Sequence, residues 1–158
     1  MAFWSEPRAT IDVDLTLFVA PDAPAACIAL LQDLGCELDV ARTQQTLLEH
    51  GFCRVRYRDT QLDVFLPTLP FYDLAKDRRA RVKLGDTSIL VWDPEVLAVF
   101  KMMFFRLKDL ADVERMLQIQ AGALDRNWVR ERLLEIYGQR DPRLSRWDDL
   151  CREVDLQP

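Results

Sequence analysis

The stretch Arg8-Ala9-Thr10-Ile11-Asp12-Val13-Asp14-Leu15-Thr16-Leu17-Phe18-Val19 decides how this chain is read. Its alternation is that of a strand, with Ile11, Val13, Leu15, Leu17 and Val19 on one face and Asp12, Asp14, Thr16 and Phe18 on the other. Aspartate is depleted in strands, and two at i and i+2 stand roughly 6.6 Å apart along the backbone. Both ionised, they repel by about 2.5 kcal/mol at an effective dielectric near 20. A hard divalent cation held by oxygen ligands would offset that cost.

Working outward, Pro21-Asp22-Ala23-Pro24 breaks the strand, and Ala25 to Leu34 predicts a helix closed by Gly35. Val40 to Glu49 predicts a second helix stopped by Gly51. Phe52 to Tyr57 alternates as a strand carrying Arg54 and Arg56, Arg58-Asp59-Thr60 turns the chain, and Gln61 to Leu66 returns with Asp63 opposite Leu62 and Val64. Pro67 and Pro70 end that strand, Phe71 to Arg79 predicts a helix, and Arg81-Leu84 with Ser88-Trp92 predicts a hairpin across Gly85-Asp86.

From Asp93-Pro94 the pattern turns helical, because aspartate at an N-cap followed by proline at the first helical position is a helix start. Val96, Leu97, Phe100, Met103, Phe104 and Leu107 form the expected apolar stripe. Asp109 is the expected cap of the next helix, which runs to about Gln120. Asp125 caps a third that ends at Gly138, and Asp141-Pro142 opens a fourth. The expected architecture is α+β: a mixed sheet with flanking helices over residues 1–92 and a carboxyl-terminal helical bundle over 93–158, packed as one unit.

The chain has 158 residues, 49% of them apolar, and a formal net charge of −5. That is enough for one core, and the acidic balance argues against broad adhesion to nucleic acid. No run reaches the roughly 20 apolar residues of a membrane span and no signal peptide is evident, so no membrane partner and a cytoplasmic location are expected. Cys27, Cys36, Cys53 and Cys151 form no CxxC pair, and the single histidine, His50, cannot build a histidine-rich zinc site. The cysteines are read as reduced and structural, and Trp4, Trp92, Trp128 and Trp147 as core.

Two constellations could carry chemistry. Asp12, Asp14 and Asp63, borne on neighbouring strands, suit phosphoryl or nucleotidyl transfer, in which carboxylates converge on two divalent ions. Solvated acids on a half-exposed strand are the alternative. The second is Lys101 through Asp112, where Lys101, Arg106 and Lys108 could clamp phosphates. Its alternative is local: Asp109 and Asp112 as a capping pair, and Lys108 with Asp112 as an i, i+4 ion pair. Arg54, Arg56 and Arg58 make a basic ridge, read either as a guide for a nucleotide or RNA or, by preference, as a solvated strand face.

These segments resemble a family. Arg8-Ala9-Thr10-Ile11-Asp12-Val13-Asp14-Leu15 is similar to the R-x-T-x-D-[IV]-D-L signature of small bacterial nucleotidyltransferases of the DNA polymerase β-like fold, particularly AbiEii/AbiGii-type toxins. Leu62-Asp63-Val64-Phe65 resembles their third-acid strand, and Lys101 to Asp112 their lysine helix followed by R-x-K-D-x-x-D.

The resemblance implies transfer of a nucleoside monophosphate from a nucleoside triphosphate to an acceptor hydroxyl. Asp12, Asp14 and Asp63 would be the catalytic acids around two magnesium ions, with Arg8, Thr10, Lys101, Arg106 and Lys108 on the substrate. The acceptor could be tRNA or other RNA, a protein or a small molecule, and a cognate antitoxin is an implied partner. One departure stands out: the family's glycine-rich strand-to-helix turn is missing before Ala2-Phe3-Trp4-Ser5. Either the start is misassigned or the nucleotide site is shortened, and the short form is expected to self-associate. That departure keeps a catalytically inactive nucleotidyltransferase-like binding protein, or toxin–antitoxin component, as the rival reading.

Overall fold

A computed structural model describes Trp4 and residues 12–156, so Arg8, Thr10 and Ile11 of the opening stretch lie outside the described residues. The chain is α+β. Its described residues divide into two compact units, one spanning 12–74 and the other comprising Trp4 with 75–156. The division falls before the predicted hairpin, whereas the sequence pattern places the change of character at 92/93.

In the first unit, β1 (Asp12–Thr16), α1 (Pro24–Asp33), α2 (Val40–His50), β2 (Phe52–Tyr57) and β3 (Thr60–Phe65) follow in order. The sheet order is β1-β3-β2, with β1 parallel to β3 and β2 antiparallel to it. The tight Arg58–Asp59 turn makes β2 and β3 a hairpin, with Arg58 in the left-handed region at φ 53°. β1 instead reaches β3 through the two helices, as a parallel pair requires.

The apolar side of this sheet carries Leu62 and Val64 beside Val55 and Cys53, packed with Cys27, Ile28, Leu31 and Leu47 from α1 and α2. Leu15, Leu17 and Val19 join this core partly buried, but Val13 is exposed, which departs from the expected continuous apolar face. Val13 lies on β1, an edge strand of this sheet among the described strands, where fewer neighbours cover a side chain. Cys27, Cys36 and Cys53 are free thiols buried here, and burial pushes the Cys53 thiol up to about 12, so it serves as a small apolar side chain.

Gly51 ends α2 in the left-handed conformation at φ 63°, and its carbonyl accepts the Leu66 N–H at 2.8 Å. A Cβ there would meet Thr68 Cγ2 at 2.2 Å. Gly51→Ala therefore combines a disfavoured backbone with a clash beside β3, and an expected loss of about 1–2 kcal/mol should appear in urea unfolding. An unchanged midpoint would contradict this.

In the second unit, the hairpin β4 (Arg79–Leu84) and β5 (Thr87–Trp92) precedes four helices, α4 (Pro94–Phe104), α5 (Leu107–Gln120), α6 (Arg126–Tyr137) and α7 (Pro142–Asp155). The short helix α3 (Phe71–Asp77) spans the division between the units. Asp93, Asp125 and Asp141 cap α4, α6 and α7 as the sequence predicts, each side chain accepting a first-turn N–H. Trp147 is fully buried among these helices, while Trp4, Trp92 and Trp128 are half-buried.

Two expectations are corrected here. α4 buries Val96, Val99, Phe100 and Met102, whereas Phe104 and Leu107 of the expected stripe are exposed. Phe105 takes a left-handed turn at φ 56° that ends α4 before the stripe is complete. Asp109 does not cap α5, which already begins at Leu107; it lies in the first turn, and its side chain is engaged elsewhere.

Candidate active site on the three-stranded sheet

The register sets the chemistry of the polar face of the first sheet. Asp12 pairs with Gln61 and Gln61 with Arg56; in the next row on that face, Asp14 pairs with Asp63 and Asp63 with Arg54. Side chains alternate along each strand, so these two rows share one side of the sheet. A third row, Thr16, Phe65 and Phe52, closes it with the two phenylalanine rings 5.0 Å apart. Asp12, Asp14 and Asp63 are thus brought to one face, with Asp14 and Asp63 as direct cross-strand partners. Two carboxylates in that position repel unless a cation stands near them.

That cation is Arg54. Its Nε donates to Asp63 Oδ1 at 2.7 Å and its Nη2 to Oδ2 at 2.8 Å, a bidentate clamp on a carboxylate only 12% exposed. Chiefly through this hydrogen bond and the Asp63 charge, and further through Asp12 and Asp14, the Arg54 guanidinium is held above its ordinary range. Asp12 accepts the Gln61 amide at 2.9 Å. Beside β2 a cleft of about 430 Å³ is lined by Arg42, Arg54, Arg56, Glu37, Asp39 and Gln61, among others.

Asp12 and Asp14 provide the paired oxygen donors that a hard divalent ion takes, while both oxygens of Asp63 are engaged by Arg54. In this arrangement no group of three His, Cys, Asp or Glu side chains among the described residues is placed to hold a metal ion.

The second constellation lies in the other unit and is an ion network. Lys101 Nζ donates to Asp109 Oδ1 at 3.2 Å and Asp112 Oδ2 at 2.9 Å, and Arg106 Nε donates to Asp109 Oδ2 at 2.5 Å. The Phe105 turn folds α5 back so that residues eight and eleven positions beyond Lys101 meet its ammonium. Burial pulls the Asp109 carboxyl upward, but the Arg106 hydrogen bond and the Lys101 charge outweigh it and hold the group below its usual range. Lys108 is exposed. Neither partnership is legible in the sequence pattern, which presents Arg54 as part of a solvated ridge and Asp109 as a helix cap.

Compared with known proteins, the chain matches no family model and no curated relative. Among the described residues, no helix is long and apolar enough to cross a membrane.

Proposed function

We propose that this protein is a nucleotidyltransferase of the DNA polymerase β-like kind, in which an acceptor hydroxyl attacks the α-phosphate of a nucleoside triphosphate, takes the nucleoside monophosphate and releases pyrophosphate. The observation that carries the reading is the register, which lays Asp12, Asp14 and Asp63 on one face of adjacent strands. Rigid strands suit such work, because carboxylates on a sheet keep their spacing while substrate phosphates come and go. Asp12 and Asp14 would hold magnesium, which when bound supplies charge neutralisation at the phosphates and activation of the acceptor oxygen. Asp63 would accept the acceptor's proton only with Arg54 drawn off its oxygens, and Gln61 orients Asp12 through its amide. Lys101 and Arg106 have no assigned part in the transfer, since their charges are engaged by Asp109 and Asp112.

The rival is a nucleotide- or partner-binding protein of the same kind without catalysis, and the Arg54 clamp on Asp63 favours it. Base-labelled triphosphates incubated with magnesium and separate pools of RNA, protein and small aminated sugars decide between them. Label reaching one pool with the parent protein but not with Asp12→Asn supports transfer. Saturable nucleotide binding with no label in any pool supports the rival.

A further inference from the structure

We propose that the β4–β5 hairpin is a docking edge for an extended acidic segment of a partner protein, which adds as a third strand along β4. The inference is independent of the nucleotidyl-transfer reading and concerns the other unit of the chain.

The hairpin is incomplete as a sheet. Among the described strands β4 pairs with β5 alone, and no residue of either strand is buried. Two strands by themselves are marginal in water, and a further strand is the usual remedy. β5 is engaged at its end, where the Trp92 carbonyl accepts the Trp4 Nε1–H at 2.7 Å and the Asp93 cap leads directly into α4. β4 is therefore the edge on which a strand can be added.

The alternation of β4 specifies the strand that fits. Arg79, Arg81 and Lys83 point to one face, and Ala80, Val82 and Leu84 to the other. Arg81 and Lys83 are exposed and have no acidic partner among the described residues, while the half-buried Arg79 donates its Nε–H to the Lys76 carbonyl. Over residues 79–92 these three cations stand against one acid, Asp86, in a chain whose formal net charge is −5. Residues on one face of a strand recur every roughly 6.6 Å, so carboxylates at alternate positions of an added strand meet the cations one for one. Its intervening apolar side chains lie beside Val82 and Leu84, the latter 58% exposed. Main-chain bonds then supply affinity and the alternating side chains supply selectivity.

Edge cations can also serve only to discourage pairing. Here they stand beside apolar side chains that remain uncovered, Leu84 on one face and Leu90, the cross-strand partner of Arg81, on the other. A second copy of the chain does not fit this edge. Two-fold antiparallel pairing of β4 with itself keeps the same face of both strands upward, so cations would stand opposite cations and repel. Nucleic acid meets the charges but has no backbone amides to extend the ladder.

The test uses the full chain and a fluorescent peptide alternating glutamate with valine, six residues long like β4, followed by fluorescence anisotropy. The parent should bind it saturably, and more weakly as salt rises. Arg81→Glu combined with Lys83→Glu should weaken binding about tenfold, as two attractive cross-strand pairs become repulsive. The same variant should bind a lysine–valine peptide that the parent does not, which shows that it is folded. The glutamate–valine peptide N-methylated at every peptide bond keeps its charges but loses its ladder bonds, and should not bind. Absence of binding by the parent assigns the cations to edge shielding. Equal binding of the methylated peptide, or by the charge-reversed variant, assigns the contact to loose electrostatics. Oligouridylate bound more tightly than the peptide and lost on charge reversal gives the face to RNA, and a dimer of the parent dispersed by charge reversal gives it to a second copy. Each of these results overturns the proposal.

Discussion

Asp109→Ala is expected to cost about 3 kcal/mol of stability, enough to lower the melting temperature by roughly 6–12 °C in a chain of this size. Asp109 is fully buried and accepts from both Lys101 and Arg106, and the Lys101 ammonium is itself only 14% exposed. Removing the carboxylate leaves that ammonium with Asp112 alone, and breaking a mostly buried ion network from one side strands charge that water reaches poorly. Arg106→Ala provides the control: its side chain is half exposed, so the loss should be about 1 kcal/mol or less. Equal losses in the two variants, measured by chemical unfolding, would show that the network is not organised around Asp109.

The same network has a pH signature. The folded protein holds the Asp109 carboxyl below its unfolded value, so its contribution is fully present above the unfolded value near 3.8 and disappears as pH falls through the lower folded value. Asp93 works the other way: burial raises its carboxyl despite the Val96 N–H and Arg78, so its protonation favours the folded state. In Asp109→Ala the acid-side loss below about pH 4 should therefore flatten relative to the parent. A parallel acid limb in both proteins would assign that loss to other carboxylates.

Local signals made the elements legible. The alternation of Phe52–Tyr57 and Thr60–Phe65 gives the hairpin, and the aspartates before Val96, Trp128 and Arg143 give three helix starts. A two-residue turn at Arg58–Asp59 places Arg54 opposite Asp63, which makes a clamp rather than a solvated ridge. What the sequence left open depends on backbone turns that no periodicity announces. Phe105 is a bulky residue in a left-handed conformation, an arrangement with no side-chain signature, and it cuts the α4 stripe short and sends Asp109 and Asp112 back to Lys101. The exposure of Val13 was hidden for a related reason, since alternation identifies the two faces of a strand but not whether the strand stands at an edge.

Asp14→Asn is expected to lower nucleotidyl transfer by about 10³-fold, the rate equivalent of the several kcal/mol that metal-assisted charge stabilisation supplies. Asp14 is exposed on β1 and lies directly across from Asp63 in the register, so its carboxylate is where cation and phosphate would meet the acid row. Replacing it removes a like charge from that row, and stability should hold or rise as activity falls. Asp63→Asn should separate from it in a second measurement. That variant also loses one of the two oxygens that accept from Arg54, so it should unfold at lower denaturant than the parent. Transfer assays on both variants, with unfolding midpoints taken alongside, distinguish a catalytic row from a set of solvated acids. Label transferred by Asp14→Asn at the parent's rate would mean that the acids share a face without sharing a reaction.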